Sequence, residues 1–318
     1  MASLSSESFA ATWITEGSTE IGGTDVIEKK AAIETGTFLG EFPYVRVGNG
    51  PENLLILPGI TLENEPPNRL AAWTYRLGFG RFAKGHTVYV INRRGSMPSG
   101  YSTRDMAADC ARVVESELGP SHVIGFSTGG AIAQHVALDH PEAVRSLVLV
   151  VSAARLSEEG RETCERWQVQ AREGRWQELR ADMASVTVSG ETNKRLARAF
   201  MKVFGGLVFR VPPDPQDFLT MLEADLGHDT TGRLGGIFAP TLIIGGTEDP
   251  FFSESILRET AEKIPDAALC VYDGAGHGIP KERKRRYEDD TLAFLNDRLG
   301  GLSGSRGQMV SSRAKEMG

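Results

Sequence analysis

Six short apolar runs constrain the fold of this chain more than any other feature. They cover residues 54–57, 87–91, 122–126, 147–151, 242–244 and 269–272. Each is bounded by Gly, Pro or polar residues and is apolar on successive positions. Side chains of a strand point alternately to its two faces, so an unbroken apolar run needs cover on both. Between the runs the apolar period changes to that of a helix. Met106, Cys110, Val113, Val114 and Leu118 recur at helical spacings within 103–118, and similar segments occupy 129–138, 255–264 and 287–299. Strands alternating with helices predict a mostly parallel, doubly wound α/β sheet. The segment 37–47 reads as an opening hairpin.

The alternation stops after Ser152. Residues 153–235 carry charged stretches with helical spacing at 158–172, 176–183, 192–203 and 215–226, and the strand pattern resumes at Pro240. Neither flank has enough strands for a sheet alone. The spacing therefore predicts a helical cap, 153–235, inserted into one core made of 37–152 and 236–300, rather than a second independent domain. Residues 1–36 are polar and weakly periodic and read as an N-terminal extension. Residues 301–318 read as a flexible tail.

Composition removes several functional classes. The 318-residue chain has a net charge of −7, so it lacks the basic stripe of a nucleic-acid binder and has no pull toward anionic lipid. Cys110, Cys164 and Cys270 are too few and too scattered for a disulfide framework or a zinc site. No apolar run reaches the roughly 20 residues of a membrane span, and the N-terminus has no basic and apolar leader pattern. The expectation is a cytoplasmic protein acting on a small molecule; the sequence sets no oligomeric state.

The chemistry concentrates in three loops that follow strands. The first is Gly125-Phe126-Ser127-Thr128-Gly129-Gly130, a G-x-S-x-G pattern between the run 122–126 and a helical segment. So tight a strand-to-helix turn forces the serine into a strained backbone and projects its hydroxyl from the sheet edge. A serine hydroxyl needs a base. His277, in Asp273-Gly274-Ala275-Gly276-His277-Gly278 after the last strand, lies at the same edge. His135 and His140 belong to the helix after Ser127, and His86 and His122 precede strands at the opposite edge. His228, at the end of the insertion, is left as a substrate-contact candidate. The base needs an acid to orient it. Asp249 in Gly246-Thr247-Glu248-Asp249-Pro250 is preferred to Glu248, because neighbours on an extended segment point to opposite sides. The oxyanion needs backbone donors. The N–H of Thr128 is one candidate; the N–H of Ile60, after Pro58-Gly59, is the other, since proline has no N–H.

The carriers LLILPG at 54–59, INRRG at 91–95, GFSTGG at 125–130, APTLIIGGTEDPFF at 239–252 and DGAGHG at 273–278 resemble the α/β-hydrolase fold superfamily, over about residues 40–300. Ser127, Asp249 and His277 also follow that family's order. The resemblance implies a cap inserted after the sixth strand and a serine hydrolase needing no metal or organic cofactor. Two departures stand out: Pro58-Gly59 where the family often has His-Gly, and Asn92 where it commonly has Asp. Phe126, Trp167, Phe200, Phe204, Met221, Phe251 and Phe252 are candidates for an apolar substrate pocket, with Trp176, Met201 and Phe218 as further apolar cap residues. Their character points to a small ester or lactone. A carbon–carbon bond hydrolase, thioesterase, perhydrolase or lyase using the same triad remains the alternative, and a non-enzymatic receptor is a third reading.

Overall fold

The architecture follows from which strand faces must be covered. A computed structural model describes residues 33–62, 64, 69–208, 211, 212 and 214–296. Eight strands, β1 (Ile33–Phe38), β2 (Phe42–Val47), β3 (Glu52–Leu57), β4 (His86–Ile91), β5 (Ser121–Phe126), β6 (Val144–Val150), β7 (Thr241–Gly246) and β8 (Ala267–Tyr272), form one sheet. Their spatial order is β1-β2-β4-β3-β5-β6-β7-β8. The hairpin β1–β2 pairs antiparallel, as does β2 with β4, while every pairing from β4 to β8 is parallel.

Alternate residues of the central strands enter two separate cores. Leu55 and Leu57 of β3, Val123 of β5, Leu147 and Leu149 of β6 and Ile243 of β7 face one side. There they meet α2 (Thr103–Val113), α3 (Thr128–Asp139) and α8 (Glu254–Lys263). Leu54, Ile56, Ile124, Val148, Val150, Leu242 and Ile244 face the other, toward α1 (Arg69–Phe79) and α10 (Lys284–Leu295). That double cover explains the unbroken apolar runs. The helices also carry local start signals. Ser102 caps α2 by accepting from the N–H of Asp105, whose carboxylate accepts from the Ser102 N–H in return.

Four helices lie between β6 and β7: α4 (Glu158–Arg172), α5 (Trp176–Val186), α6 (Glu191–Val208) and α7 (Gln216–Leu226). Their anchors to the sheet loops are specific. Ser157 caps α4, its N–H reaches the Phe251 carbonyl at 2.8 Å, and its hydroxyl donates to the Pro250 carbonyl. Asp217 of α7 accepts from the N–H groups of Ser96 and Met97 at 3.0 and 2.8 Å.

Several expectations shift. The opening hairpin starts at Ile33, so the boundary at residue 36 falls inside β1. Strand β6 stops at Val150, and Val151 leaves it with a φ of 46°. Helix α1 and the short α9 (Ile279–Glu282) are additional to the helices expected from the spacing. The extension over 1–32 and the tail over 301–318 lie outside the described residues, while the helix expected over 287–299 runs from Lys284 to Leu295 and is capped by Asn296.

Leu149 is fully buried at the middle of the sheet. Leu149→Ala is expected to lower unfolding free energy by about 2–5 kcal/mol, as buried Leu→Ala changes do, measured by urea denaturation.

Candidate active site

Ser127 sits between β5 and α3, with φ 51° and ψ −121°. A non-glycine residue holds that conformation only when its surroundings over-determine it. Here they do. Its N–H extends the β5–β6 ladder to the Val150 carbonyl at 3.1 Å, while its carbonyl accepts from Gly130 and Ala131 at 2.7 and 3.2 Å. The flanking glycines make the turn sterically feasible. A Cβ on Gly125 would lie 2.5 Å from the Gly129 carbonyl oxygen, and one on Gly129 would lie 2.0 Å from that of Leu57. The motif is thus a packing requirement of helix α3 against β3 and β5.

The loops after β7 and β8 bring two further groups to the serine. His277 Nε2 lies 3.0 Å from Ser127 Oγ. His277 Nδ1 lies 2.9 and 3.1 Å from the two carboxylate oxygens of Asp249. A carboxylate accepts, so Nδ1 carries the proton and Nε2 is free to accept from the serine hydroxyl. Asp249 is buried, and its Oδ1 also accepts from the Phe251 N–H at 2.9 Å. Its neighbour Glu248 is exposed, but for a different reason from the expected strand alternation: Thr247 and Glu248 form a turn after β7 and both face outward. The imidazole is flanked by Phe251 and Phe252, at ring-centroid distances of 4.6 and 6.1 Å.

The histidine loop is also tied to the cap. Ser189, between α5 and α6, accepts from the Gly276 N–H at 3.3 Å and donates to Glu282 at 2.6 Å. The Ser189 N–H reaches the same carboxylate at 2.8 Å.

Facing the serine are Gly59, Ile60 and Thr128. Thr128 opens α3, where first-turn N–H groups lack partners within the helix. The Pro58-Gly59 turn is held by a side chain that the sequence did not single out. Arg93, buried, donates to the Gly59 carbonyl at 2.8 Å and the Pro58 carbonyl at 2.9 Å. Burial lowers its guanidinium pKa to about 10. That value leaves it charged at neutral pH.

These groups border a cavity of about 170 Å³. Trp167, Phe251 and Phe252 line it, together with Leu156, Cys164, Met183, Val186, Thr187 and Asp225. Cys164 and Trp167 share one face of α4, and Met183 and Val186 share one face of α5, each pair three residues apart. That spacing marks an inward helix face but not whether the face meets a core or a void. Asp225 of α7 is buried and accepts from the Thr128 hydroxyl at 2.6 Å. Burial raises its pKa from 3.8 to about 6, against the lowering effects of that hydrogen bond and of Arg93 and His277.

Four pocket candidates lie elsewhere. Phe126 has the parity of Ile124, so it points to the opposite sheet face and packs on Phe79 and Tyr287 at 6.2 and 6.1 Å. Phe200 and Phe204 pack with tilted rings, centroids 5.0 Å apart, on the outer side of α6, 54% and 44% exposed. Met221 is absorbed by the apolar core. His228 is buried against His135, at 5.3 Å between ring centroids, with a pKa pushed down to about 3 chiefly by burial. It is not among the residues lining the cavity.

A family model described as the alpha/beta hydrolase fold matches residues 53–284. The chain is 26% identical over 291 residues to the 2-hydroxy-6-oxononadienedioate/2-hydroxy-6-oxononatrienedioate hydrolase of a Pseudomonas species, covering 87% of this chain and 98% of that one. It is 30% identical over 166 residues to the pimeloyl-acyl-carrier-protein methyl ester esterase of Chromobacterium violaceum, covering 50% of this chain and 63% of that protein. Among solved structures, an alpha/beta hydrolase enzyme, MGS-M2, from a Medee basin deep-sea metagenome library superposes with a TM-score of 0.68 at 18% identity, over 83% of this chain and 97% of that one. The chain belongs to the α/β-hydrolase fold family. It is a hydrolase, and no described helix is long and apolar enough to cross a membrane.

Asp225 makes stability depend on pH in a defined direction. Between about pH 4 and 6 the folded chain keeps a proton that the unfolded chain has released, so the group's contribution falls as pH rises through that window. In urea denaturation from pH 4.5 to 7.5, Asp225→Asn is expected to gain stability relative to the unaltered chain as pH rises, levelling off above about pH 6. A difference independent of pH would contradict this assignment.

Proposed function

We propose that the protein is a serine hydrolase that cleaves a carboxylic ester or lactone of a small, largely apolar molecule through an acyl-enzyme on Ser127. The observation that carries this reading is the continuous hydrogen-bond chain Ser127–His277–Asp249, ending at an apolar cavity. Ser127 Oγ attacks the carbonyl while His277 Nε2 takes its proton. Asp249 holds the imidazole with Nδ1 protonated and stabilises the imidazolium that forms. The backbone N–H groups of Thr128 and Ile60 receive the oxyanion, each donor worth roughly 3–4 kcal/mol in the transition state. His277 then returns the proton to the leaving alcohol, and water, deprotonated by the same imidazole, releases the acid. In this scheme Arg93 is a positioning residue: it fixes the carbonyls that precede Ile60.

The cavity's size and lining narrow the substrate. A void near 150 Å³ accommodates benzene, so about 170 Å³ suits a single ring or a short acyl chain. Trp167, Phe251, Phe252, Met183 and Val186 favour an apolar group there. Asp225 is the polar wall and suits a hydrogen-bond donor on the substrate. A second reading, carbon–carbon bond cleavage by the same triad, draws on the Pseudomonas relative and its near-complete coverage. The anionic substrate that this relative's name describes would meet the Asp225 carboxylate, which favours the ester reading here. The unpaired thiols of Cys110, Cys164 and Cys270 fit a reducing compartment such as the cytoplasm.

Turnover of short p-nitrophenyl esters, small lactones and vinylogous diketones is the deciding measurement. Ester and lactone turnover is expected to exceed diketone cleavage. Ser127→Ala is expected to lose on the order of 10³ to 10⁶ in kcat and all labelling by a fluorophosphonate. An unaltered chain whose Ser127 does not react with the fluorophosphonate would sink the proposal.

A further inference from the structure

At the opposite edge of the sheet three side chains converge that the hydrolytic reading does not use. Glu52, His86 and His122 stand at the starts of β3, β4 and β5. The parallel register pairs Glu52 with His86 and Leu54 with His122. With a period of two along each strand, all three side chains fall on one sheet face, the face that also receives Leu54, Val88 and Ile124. One donor atom from each lies within 4.8 Å of the other two. The histidine rings meet edge to face, with centroids 5.9 Å apart.

The surrounding hydrogen bonds orient both imidazoles. His86 Nδ1 lies 3.2 Å from the Phe82 carbonyl oxygen. That oxygen only accepts, so Nδ1 carries the proton and Nε2 presents a lone pair. His122 Nδ1 is engaged by the Ser146 hydroxyl at 2.7 Å, while its Nε2 is buried without a hydrogen-bond partner. That nitrogen faces Glu52 Oε2 at ion-pair distance, 3.5 Å, while Glu52 Oε1 pairs with Arg145 at 3.3 Å. One carboxylate oxygen is thus held in place and the other faces the histidines.

We propose that Glu52, His86 and His122 form a divalent transition-metal site, with Zn2+ the ion best suited to it. Two neutral imidazoles and one carboxylate are a donor set of borderline softness that suits Zn2+. Each imidazole has its other nitrogen engaged by a backbone carbonyl or a hydroxyl, the supporting arrangement that metal-binding histidines show. Ligands about 2.0–2.1 Å from a tetrahedral ion lie a little over 3 Å apart. Binding draws the three donor atoms inward from a spread of up to 4.8 Å, and Glu52, whose side chain is half-exposed, is the ligand freest to move. Water completes the coordination. A six-residue strand rises roughly 20 Å, which separates this site from Ser127. The ion would staple three adjacent strands and act on stability, not on the acyl transfer.

Calorimetric titration of the full chain with Zn2+, and of Co2+ followed by its visible d–d absorption, tests the site. One ion per chain is expected, with a Zn2+-dependent rise in Tm. Glu52→Gln and His122→Gln are each expected to weaken binding at least about tenfold and to abolish the Tm shift. His277→Gln, which removes the imidazole beside Ser127, is expected to bind as the unaltered chain does. Absence of saturable uptake by the unaltered chain overturns the proposal. So does Zn2+ affinity in Glu52→Gln and His122→Gln that matches the unaltered chain, or loss of binding in His277→Gln alone. Glu52 is half-exposed, so its variant carries the test even if His122→Gln fails to fold, with circular dichroism checking each variant.

Discussion

The contact on which the site depends is the near-touching of backbones where β5 turns into α3. Helix α3 approaches so closely that the Gly129 Cα–H stands where any side chain would strike the Leu57 carbonyl. That approach places the N-terminus of α3 beside the Pro58-Gly59 turn and forces Ser127 to a positive φ. The strain is held by the ladder bond to Val150 and the helical bonds to Gly130 and Ala131. From one steric arrangement follow an outward hydroxyl, a helix-end N–H beside it, and the Pro58-Gly59 turn close to both. Loops from β7 and β8 then need only supply an imidazole and a carboxylate at the same edge.

Much of this was legible in the sequence because it is written in local terms. Unbroken apolar runs at 54–57 and 147–151 reflect double cover, and glycines at 125 and 129 reflect close approach. Asp249 is buried and Glu248 exposed, as expected, but a turn at Thr247-Glu248 produces the difference, not the strand parity from which it was inferred. The same parity, applied to Phe126, would have sent its ring to the far face; aromatic character alone drew it to the pocket. Phe200 and Phe204 show a different limit. Helical spacing marks an apolar stripe, but the packing of α6 on α5 decides which stripe is covered, and these two phenylalanines remain outside. Asp225 and Arg93 were illegible for another reason. A single charged residue reads as solvated until tertiary structure buries it, and their meaning lies in contacts with Thr128 and with Pro58-Gly59, all remote in the chain.

The charged pair changes the character of an otherwise apolar site. Arg93 is buried behind the Pro58-Gly59 turn, and Asp225 is buried beside the first turn of α3. Each moderates the other: the guanidinium lowers the carboxyl's pKa and the carboxylate raises that of the guanidinium, both against burial. A cation behind the Pro58-Gly59 turn and an acid beside the first turn of α3 give the pocket a polarity that its aromatic lining does not suggest.

The link through Ser189 has a mechanical consequence. This residue joins the end of α5 to the histidine loop and to Glu282, on the far side of the loop. Helix α5 also supplies Met183 and Val186 to the pocket wall. A substrate that displaces that wall therefore pulls on the segment carrying His277. Under the proposed mechanism, fit in the cavity and alignment of His277 become one coordinate, so a poorly fitting molecule would be discriminated by loss of turnover as well as by weaker occupancy.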